Sequence, residues 1–557
     1  MGETFEETFM NEVRNVGERR IRRPPKRFDE ECYVVNDLTA EINEPTNMDE
    51  AYSGEHSAEW KKATDSEFNS LIENDTWELV TLPEGKNIVG SKWVFKVKRD
   101  ANGTVERFKA RLVAQGYSQA EGVDYHEVFS PVVRNTSIRT LLALANTCDW
   151  EVHQMDVHTA FLQGDLDEEI YMKQPDGYVD EENPNHVCKL KKSLYGLKQA
   201  ARCWNSAIDS YLKSDGYKQI GAVKRQNAKI DFVILSLHVD DILLFSNDVG
   251  MLNKEKKSLG KRFKIEDLGD VNHVLGMLVK RDRKSRILTI SQPKYLEGVL
   301  KRFNMENCKP VSTPMEPGKK FYELSDDEDP VNIHEYQKII GCLTYATTST
   351  RPNLASAVGI LSKYMSRPGK EHWQGVKRIL RYVQGTLDYG LIFRAKDNTC
   401  TLTGCSDADW AGDLDTRRST SGYVFQIEGS TVSWHSKRQT CVSKSKNEAE
   451  YVALSLATQE AVWFRRLLSD IGLTQKTPSI IYEDNRGAIE LSKNAKFHDR
   501  TKHIDISFHF VREKVTDQTV NVEYCQTEEM IADIMTKPVS KVKFETFKAM
   551  LGIGKIN

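Results

Sequence analysis

Short apolar runs separated by polar turns recur along this chain, and they predict its elements. The clearest stretch is Phe232 to Ser246, FVILSLHVDDILLFS, in which two apolar runs flank a pair of carboxylates. Runs this short, rich in Ile, Val, Leu and Phe, read as buried strands, so Asp240 and Asp241 fall at the tip of a hairpin. Adjacent carboxylates in such a place repel each other and lose hydration. A divalent cation held by their oxygens would remove that cost. An Asp pair capping an ordinary turn fits this stretch equally well when it is taken alone.

The same patterning organises the rest. Trp60, Ala63, Phe68 and Leu71 share one face of a predicted helix. Trp93, Phe95 and Val97 alternate with Lys92, Lys96 and Lys98, which predicts a strand with one apolar and one basic face. Ala101-Asn102-Gly103 turns the chain, and Val105 to Val113 returns. Residues 136 to 147 are predicted helical. Val152 to Val157 reads as a strand with Asp156 near its end, where it gives way to helical residues. A carboxylate there projects into a cleft and makes a third partner for Asp240 and Asp241. Lys189 to Trp204 mixes basic residues with Tyr195 and leads into a helix; Gly196 would let a base or sugar approach closely, although taken alone the stretch reads rather as an amphipathic helix with its start signal. Residues 310 to 330 read as a linker, and 334 to 385 as a small helical unit. From about Cys400 a run of strands, a long amphipathic helix, a strand, a helix and a last strand predict a mixed-sheet α/β domain. Acidic residues recur there: Asp407 and Asp484 end apolar strands, Glu448 opens a helix, and Asp533 sits on the last helix.

Charge narrows the reading. The net charge of −3 rules out a uniformly basic nucleic-acid binder, so such a function must use local patches. Between Lys86 and Arg111 eight basic residues face two acidic ones. That hairpin suits phosphates, or it is a sheet edge guarded by lysines. The basic run Arg19 to Arg27 is a solvated linker or a nucleic-acid arm. The 10 cysteines lack zinc-ligand spacing, which fits a reduced intracellular setting. The acidic start lacks the apolar core of a secretory signal, and no run has membrane-spanning length.

Several longer motifs stand in a fixed order: KARLVAQGYSQ, QMDVHTAFLQGDL with YMKQPDGY, KSLYGLKQAARCW, HVDDILL and DLGDVNHVLGM, then STRPNLASAV, RILRYVQGTLDYGL, CSDADWAGD, RRSTSGYVF, NEAEY and ADIMTKP. On this set, from about Trp60 to Pro538, the chain resembles the reverse transcriptase–ribonuclease H part of a Ty1/copia-type retrotransposon polyprotein. With no protease, integrase or zinc-knuckle motif, it is similar to the last part of such a polyprotein. The resemblance implies a right-hand polymerase of fingers, palm and thumb followed by a ribonuclease H-like mixed-sheet domain, an α+β and α/β multidomain chain. The implied boundaries are 1–55 polar leader, 56–310 fingers and palm, 311–398 linker and helical thumb or connection, 399–540 ribonuclease H-like, and 541–557 tail. The lack of targeting signals points to the cytoplasm, with virus-like particles as a setting there.

The resemblance also implies roles. Asp156, Asp240 and Asp241 would hold two Mg²⁺ ions, Mn²⁺ being the substitute, for RNA-directed DNA synthesis. Lys109 and Arg111 fall in the motif that grips the triphosphate. Phe161 would exclude a ribose 2′-hydroxyl, and Gln199 would pack beside the incoming nucleotide. Asp407, Glu448, Asp484 and Asp533 would bind two further ions and cleave RNA in an RNA–DNA hybrid. Neighbouring Asp409, Asp413, Glu450 and Glu483 would face solvent, although at the first two of these motifs the ligand could instead be the acid two positions on. His503 is a candidate participant. The implied partners are an RNA template, a DNA primer, the hybrid and deoxynucleoside triphosphates. The chain departs from the family pattern at His238, Ala201 and Asn447, and in a short interval between Tyr217 and Phe232. Those departures carry the alternative of a degenerate copy that binds nucleic acid without polymerising.

Overall fold

The computed structural model describes residues 44–99, 104–220, 223–228, 231–325, 327–395, 399–493 and 505–556. The basic run 19–27, the turn 101–103 and His503 lie outside the described residues. The architecture is mixed α/β. The expected basic hairpin is formed by β1 (Ser91–Arg99) and β2 (Val105–Ala114). Trp93, Phe95 and Val97 are buried on one face, and helix α1 (Ser57–Glu73) seals them. Trp60 of α1 stands edge-on to Phe95 and Phe108, with ring centroids 5.3 and 4.7 Å apart.

The loop after β2 crosses the segment before α3 (Ala200–Ser214) at very close range. Ala114 N–H donates to Tyr195 O at 2.7 Å. A Cβ on Gly196, whose φ is +90°, would sit 2.1 Å from Ala114 O. Gly196 therefore admits the chain's own backbone, where the sequence suggested a base or sugar.

A six-stranded antiparallel sheet follows. Its strands are β3 (Glu151–Val157), β4 (Lys218–Ile220), β5 (Val223–Ala228), β6 (Asp231–His238), β7 (Asp241–Ser246) and β8 (Ile265–Asp270), in the order β8-β3-β7-β6-β5-β4. Helix α2 (Asn135–Thr147) covers one face, packing on Val152, Phe232, Ile234, Leu243 and Phe245. Helices α3 and α4 (Val249–Arg262) cover the other, with Met155, Val233, Leu235, Leu237, Ile242 and Leu244. Burial on both faces is why these strands read as continuous apolar runs. The shortened interval before Phe232 still forms β4 and β5, and β5 pairs β6 from Asp231 to Ser236.

A second sheet, of five strands, draws on distant stretches. Short strands 273–274 and 277–282 precede β9 (Ile287–Ser291), which pairs β10 (Tyr389–Arg394). Between β9 and β10 lie helices α5 (Ile333–Ser349), α6 (Ala355–Ser362) and α7 (Lys370–Gln384), as the periodicity predicts.

The third sheet takes β11 (Leu402–Ala408), β12 (Thr420–Ile427), β13 (Ser430–Arg438), β14 (Ser479–Glu483) and β15 (Val520–Tyr524) in the order β13-β12-β11-β14-β15. The long α8 (Lys446–Asp470) packs on β11 and β12. The last residues, expected as a tail, form α9 (Lys541–Met550) and β16 (Ile553–Lys555). β16 closes the second sheet against β10.

One hydrophobic core runs from Val133, just before α2, through to Ile553. Arg139 of α2 crosses it, 3 % exposed, donating to the carbonyls of Val432, Thr348 and Ser349 at 2.7–3.0 Å. Its guanidinium lies 3.9 Å over the Trp434 ring. Burial pulls its pKa down to about 9.

Asp413 is likewise structural, not solvent-facing. It is 2 % exposed and bridges Arg438 Nη1 at 2.5 Å and Lys363 Nζ at 3.3 Å. Its carboxyl is held down to about 2: burial opposes this, and the Arg438 hydrogen bond and the Lys363 charge outweigh it. A depressed carboxylate stabilises the fold above its unfolded pKa and stops doing so as pH falls through the folded one. Asp413→Asn is expected to cost roughly 2 kcal/mol. Denaturant midpoints should show that gap in full at pH 7, shrinking toward zero as pH approaches 2.

Candidate functional site

The tip of the β6–β7 hairpin is a two-residue turn, Val239-Asp240, closed by the pair His238–Asp241. Val239 has φ +56°. A β-branched residue is strained there, by about 1–3 kcal/mol. Two hydrogen bonds hold the strained tip: Trp204 Nε1–H donates to Val239 O at 2.6 Å, and Val157 N–H donates to Asp240 O at 2.9 Å. The β3–β7 register sets Asp156 directly across from Asp241. On its other side Asp156 pairs with Glu266 of β8.

Burial, then the charge of Asp240, raises the Asp156 carboxyl; the same two causes push Asp241 up to about 6. Gln154 Nε2 donates to Asp241 Oδ1 at 3.3 Å. The helix expected after Asp156 is only a 3₁₀ turn, Ala160–Gln163, entered through a left-handed Thr159. Phe161 on that turn meets Tyr195 edge-on at 4.9 Å, and Arg111 lies 5.0 Å over the Tyr195 ring. Lys109 is near enough to act electrostatically on Asp156. Its own ammonium is pulled down to about 8 by burial and by neighbouring Arg111 and Arg107. The basic hairpin and the carboxylates are thus electrostatic neighbours. Gln199 is closed off from any substrate: it is fully buried, donates to Asp124 O at 2.9 Å and accepts from Gln119 Nε2 at 3.0 Å.

A second acidic centre lies in the third sheet. β11 and β14 run parallel with Cys405 opposite Tyr482, which brings Asp407 and Asp484 to the same end of the sheet. Glu450 on α8 completes the group, and one carboxylate oxygen from each lies within 4.8 Å of the others. Glu450 is fully buried, and its Oε2 accepts from Ala408 N–H at 2.6 Å. Burial and then the charges of Asp407 and Asp484 push it up to about 9. Glu483, also fully buried, is raised by burial and then by Glu450. Asp533 is buried beside Asp407 and is pushed up to about 7 by burial and that charge. Lys537 Nζ lies 2.6 Å from Asp533 Oδ1 and 3.6 Å from Asp407 Oδ2.

The donor chemistry suits a hard cation. Glu450 Oε1 and Asp484 Oδ1 are buried without a hydrogen-bond partner. A carboxylate driven toward the neutral form by burial and then by neighbouring charge, as that of Glu450 is, regains its charge when a divalent ion enters. Among the described residues one other group has comparable spacing, Glu151, His153 and Asp270. There Arg283 already pairs Glu151 at 2.6 Å and Lys256 donates to His153 Nδ1 at 2.6 Å, so the charge is balanced. Asp156, Asp240 and Asp241 do not form so tight a group, and Asp241 Oδ1 accepts from Gln154.

A family model described as reverse transcriptase (RNA-dependent DNA polymerase) matches residues 74–317. A Pol polyprotein from transposon TNT 1-94 of Nicotiana tabacum is 44% identical over 96% of this chain and 41% of its own length. A putative transposon Ty5-1 protein of Saccharomyces cerevisiae is 31% identical over 55% of this chain and 100% of its own length. The chain belongs to the copia/Ty1-type transposon Pol family. It carries the reverse transcriptase domain of a copia-type Pol polyprotein, and spans about two fifths of the length of the tobacco relative. A solved foamy viral protease-reverse transcriptase with double-stranded DNA aligns over 86% of this chain and 83% of that one, at 15% identity and a TM-score of 0.20. No described helix is long and apolar enough to cross a membrane.

Within this copia-type chain the structure brings Asp407 and Asp484 together with Glu450, where the motif assignment named Glu448. Glu448 is occupied in starting α8. Its N–H donates to the Ser445 cap at 3.3 Å, and its Oε2 accepts from Lys444 N–H at 2.8 Å. The signal was present: Ser445-Lys446-Asn447-Glu448 has the capping-box spacing, which commits that glutamate to the backbone. Two residues on, Glu450 points at the sheet. Asp409, expected in solvent, is half-buried, with its carboxyl on Thr420 N–H and pushed up to about 6 by burial. No sequence signal marks Gln199 as covered, because the loop that covers it packs only in the fold.

Proposed function

We propose that this chain is an RNA-directed DNA polymerase with a ribonuclease H site that cleaves the RNA of an RNA–DNA hybrid. The polymerase reading rests above all on the register that sets Asp156 across from Asp241 at a held hairpin tip. On this reading residues 56–310 are fingers and palm, 311–398 linker and thumb or connection, and 399–540 the ribonuclease H-like unit. Asp156, Asp240 and Asp241 are the polymerase ligands for Mg²⁺, two per site, and Asp407, Glu450, Asp484 and Asp533 serve the nuclease. Bound divalent ions activate the attacking oxygen and neutralise charge on the transferring phosphoryl group.

The chain's own residues position the substrates. Lys109 and Arg111 hold the triphosphate from the hairpin. The Phe161 ring, backed by Tyr195, walls off a ribose 2′-hydroxyl. Gln199 supports the loop 119–124 without touching the nucleotide. RNA template, DNA primer and deoxynucleoside triphosphates are the polymerase substrates, and the hybrid is the nuclease substrate. The setting is the cytoplasm, within virus-like particles.

The test is extension of a DNA primer on an RNA template by the intact chain in Mg²⁺. Extension supports the polymerase reading, and none from well-folded protein overturns it. Trp204→Phe keeps the buried ring but removes the hydrogen bond to Val239 O. It is expected to slow extension about tenfold through a loosened tip, the rate equivalent of one lost hydrogen bond. Single-turnover incorporation measures this, and an unchanged rate would show that the tip does not need that bond.

A further inference from the structure

Of the nine tryptophans only Trp410 is exposed, at 55 %. It follows β11 by two residues and Asp407 by three, so its Cα lies within about 11 Å of that of Asp407. A solvated indole on a loop normally reorients freely, but this one is pinned. Its Nε1–H donates to Ser443 O at 3.2 Å. Its loop is fixed by Asp409 N–H on Thr420 O at 3.1 Å, Ala411 N–H on Ser419 Oγ at 3.1 Å, and a left-handed Ala411 at φ +51°. The donor edge is satisfied by the protein while the ring face is left to solvent.

The surroundings are cationic. Past Ser443, Lys444 and Lys446 are exposed at the start of α8, with Val442 also exposed. Lys446 Nζ stands 3.7 Å from Glu450 Oε1 of the carboxylate group. A held aromatic face and the Lys446 ammonium therefore border the second acidic centre, with Lys444 exposed two residues before Lys446. Lysines there offset phosphate charge near a carboxylate cluster that would otherwise repel a nucleic-acid strand. An exposed aromatic packs on sugars and bases whatever the sequence.

From this juxtaposition we infer that Trp410 is a positioning residue of the nuclease site. It packs against the sugars of an RNA–DNA hybrid a few base pairs from the cleaved phosphate, while Lys444 and Lys446 meet the flanking phosphates. The wide, shallow minor groove of an A-like duplex exposes those sugars. The inference rests on the hybrid-cleaving reading above.

The test uses the intact chain and a fluorescein-labelled RNA–DNA hybrid of defined sequence. Anisotropy with Ca²⁺ in place of Mg²⁺ gives Kd, and cleavage in Mg²⁺ gives KM and kcat. Trp410→Ala is expected to raise Kd and KM about tenfold, with a much smaller effect on kcat. Trp410→Phe should recover most of the loss, and both variants should melt as wild type does. A Kd for Trp410→Ala within twofold of wild type, while wild type cleaves the hybrid, overturns the inference and leaves the nuclease reading standing. A wild-type chain that neither binds nor cleaves the hybrid overturns both.

Discussion

Glu450→Gln is expected to abolish cleavage of the RNA strand of a hybrid, by about a thousandfold, the scale of several kcal/mol of lost charge stabilisation. Glu448→Gln is expected to change it by less than about threefold, because a glutamine side-chain oxygen can accept from Lys444 N–H as the carboxylate does. The two residues lie two positions apart, yet one faces the carboxylate group and the other the backbone of its own helix turn. Multiple-turnover cleavage of a labelled hybrid separates them, and the reverse ranking would return the motif assignment to Glu448. Stability adds a second readout. The Glu450 carboxyl is raised to about 9, so its contribution to folding is full below its unfolded pKa and is lost as pH rises through about 9. In chelator the melting temperature of wild type should therefore fall between pH 6 and pH 9, and that of Glu450→Gln should fall less.

Asp240→Asn is expected to lower primer extension by at least about a thousandfold while leaving hybrid cleavage intact. The change is local. The backbone carbonyl of residue 240 still accepts from Val157 N–H, so the hairpin keeps its register. Removing the charge relieves Asp156 and Asp241, both of which are raised in part by Asp240. The variant should therefore be at least as stable as wild type in chelator at pH 8, while losing synthesis. Loss of both activities together, or a large drop in melting temperature, would instead point to a structural role for this aspartate.

The elements themselves were legible in the residues. Strands buried on both faces need unbroken apolar runs, and β6 and β7 read that way with the carboxylates between them. The basic hairpin and the three-helix stretch followed from periods of two and 3.6. Local chemistry even hinted at the different surroundings of two acids on α8, where a capping-box spacing sets Glu448 apart from Glu450.

What pattern could not supply was which side chains meet across distance. Asp156 faces Asp241 because of a strand register linking residues 85 positions apart in the chain, and register is set by packing on both faces of the sheet. Asp413, on the loop between β11 and β12, is a buried ion-pair bridge because Lys363 arrives from the end of α6, outside the third sheet. Gln199 is closed off by a loop some eighty residues earlier, and the last strand leaves the third sheet to finish the second. Periodicity assigns each residue a face, and the tertiary fold determines what that face meets. Burial then separates their surroundings: carboxylates that look alike along the chain become a salt-bridge anchor, a helix cap or a member of a buried acidic group according to the charges that packing places beside them.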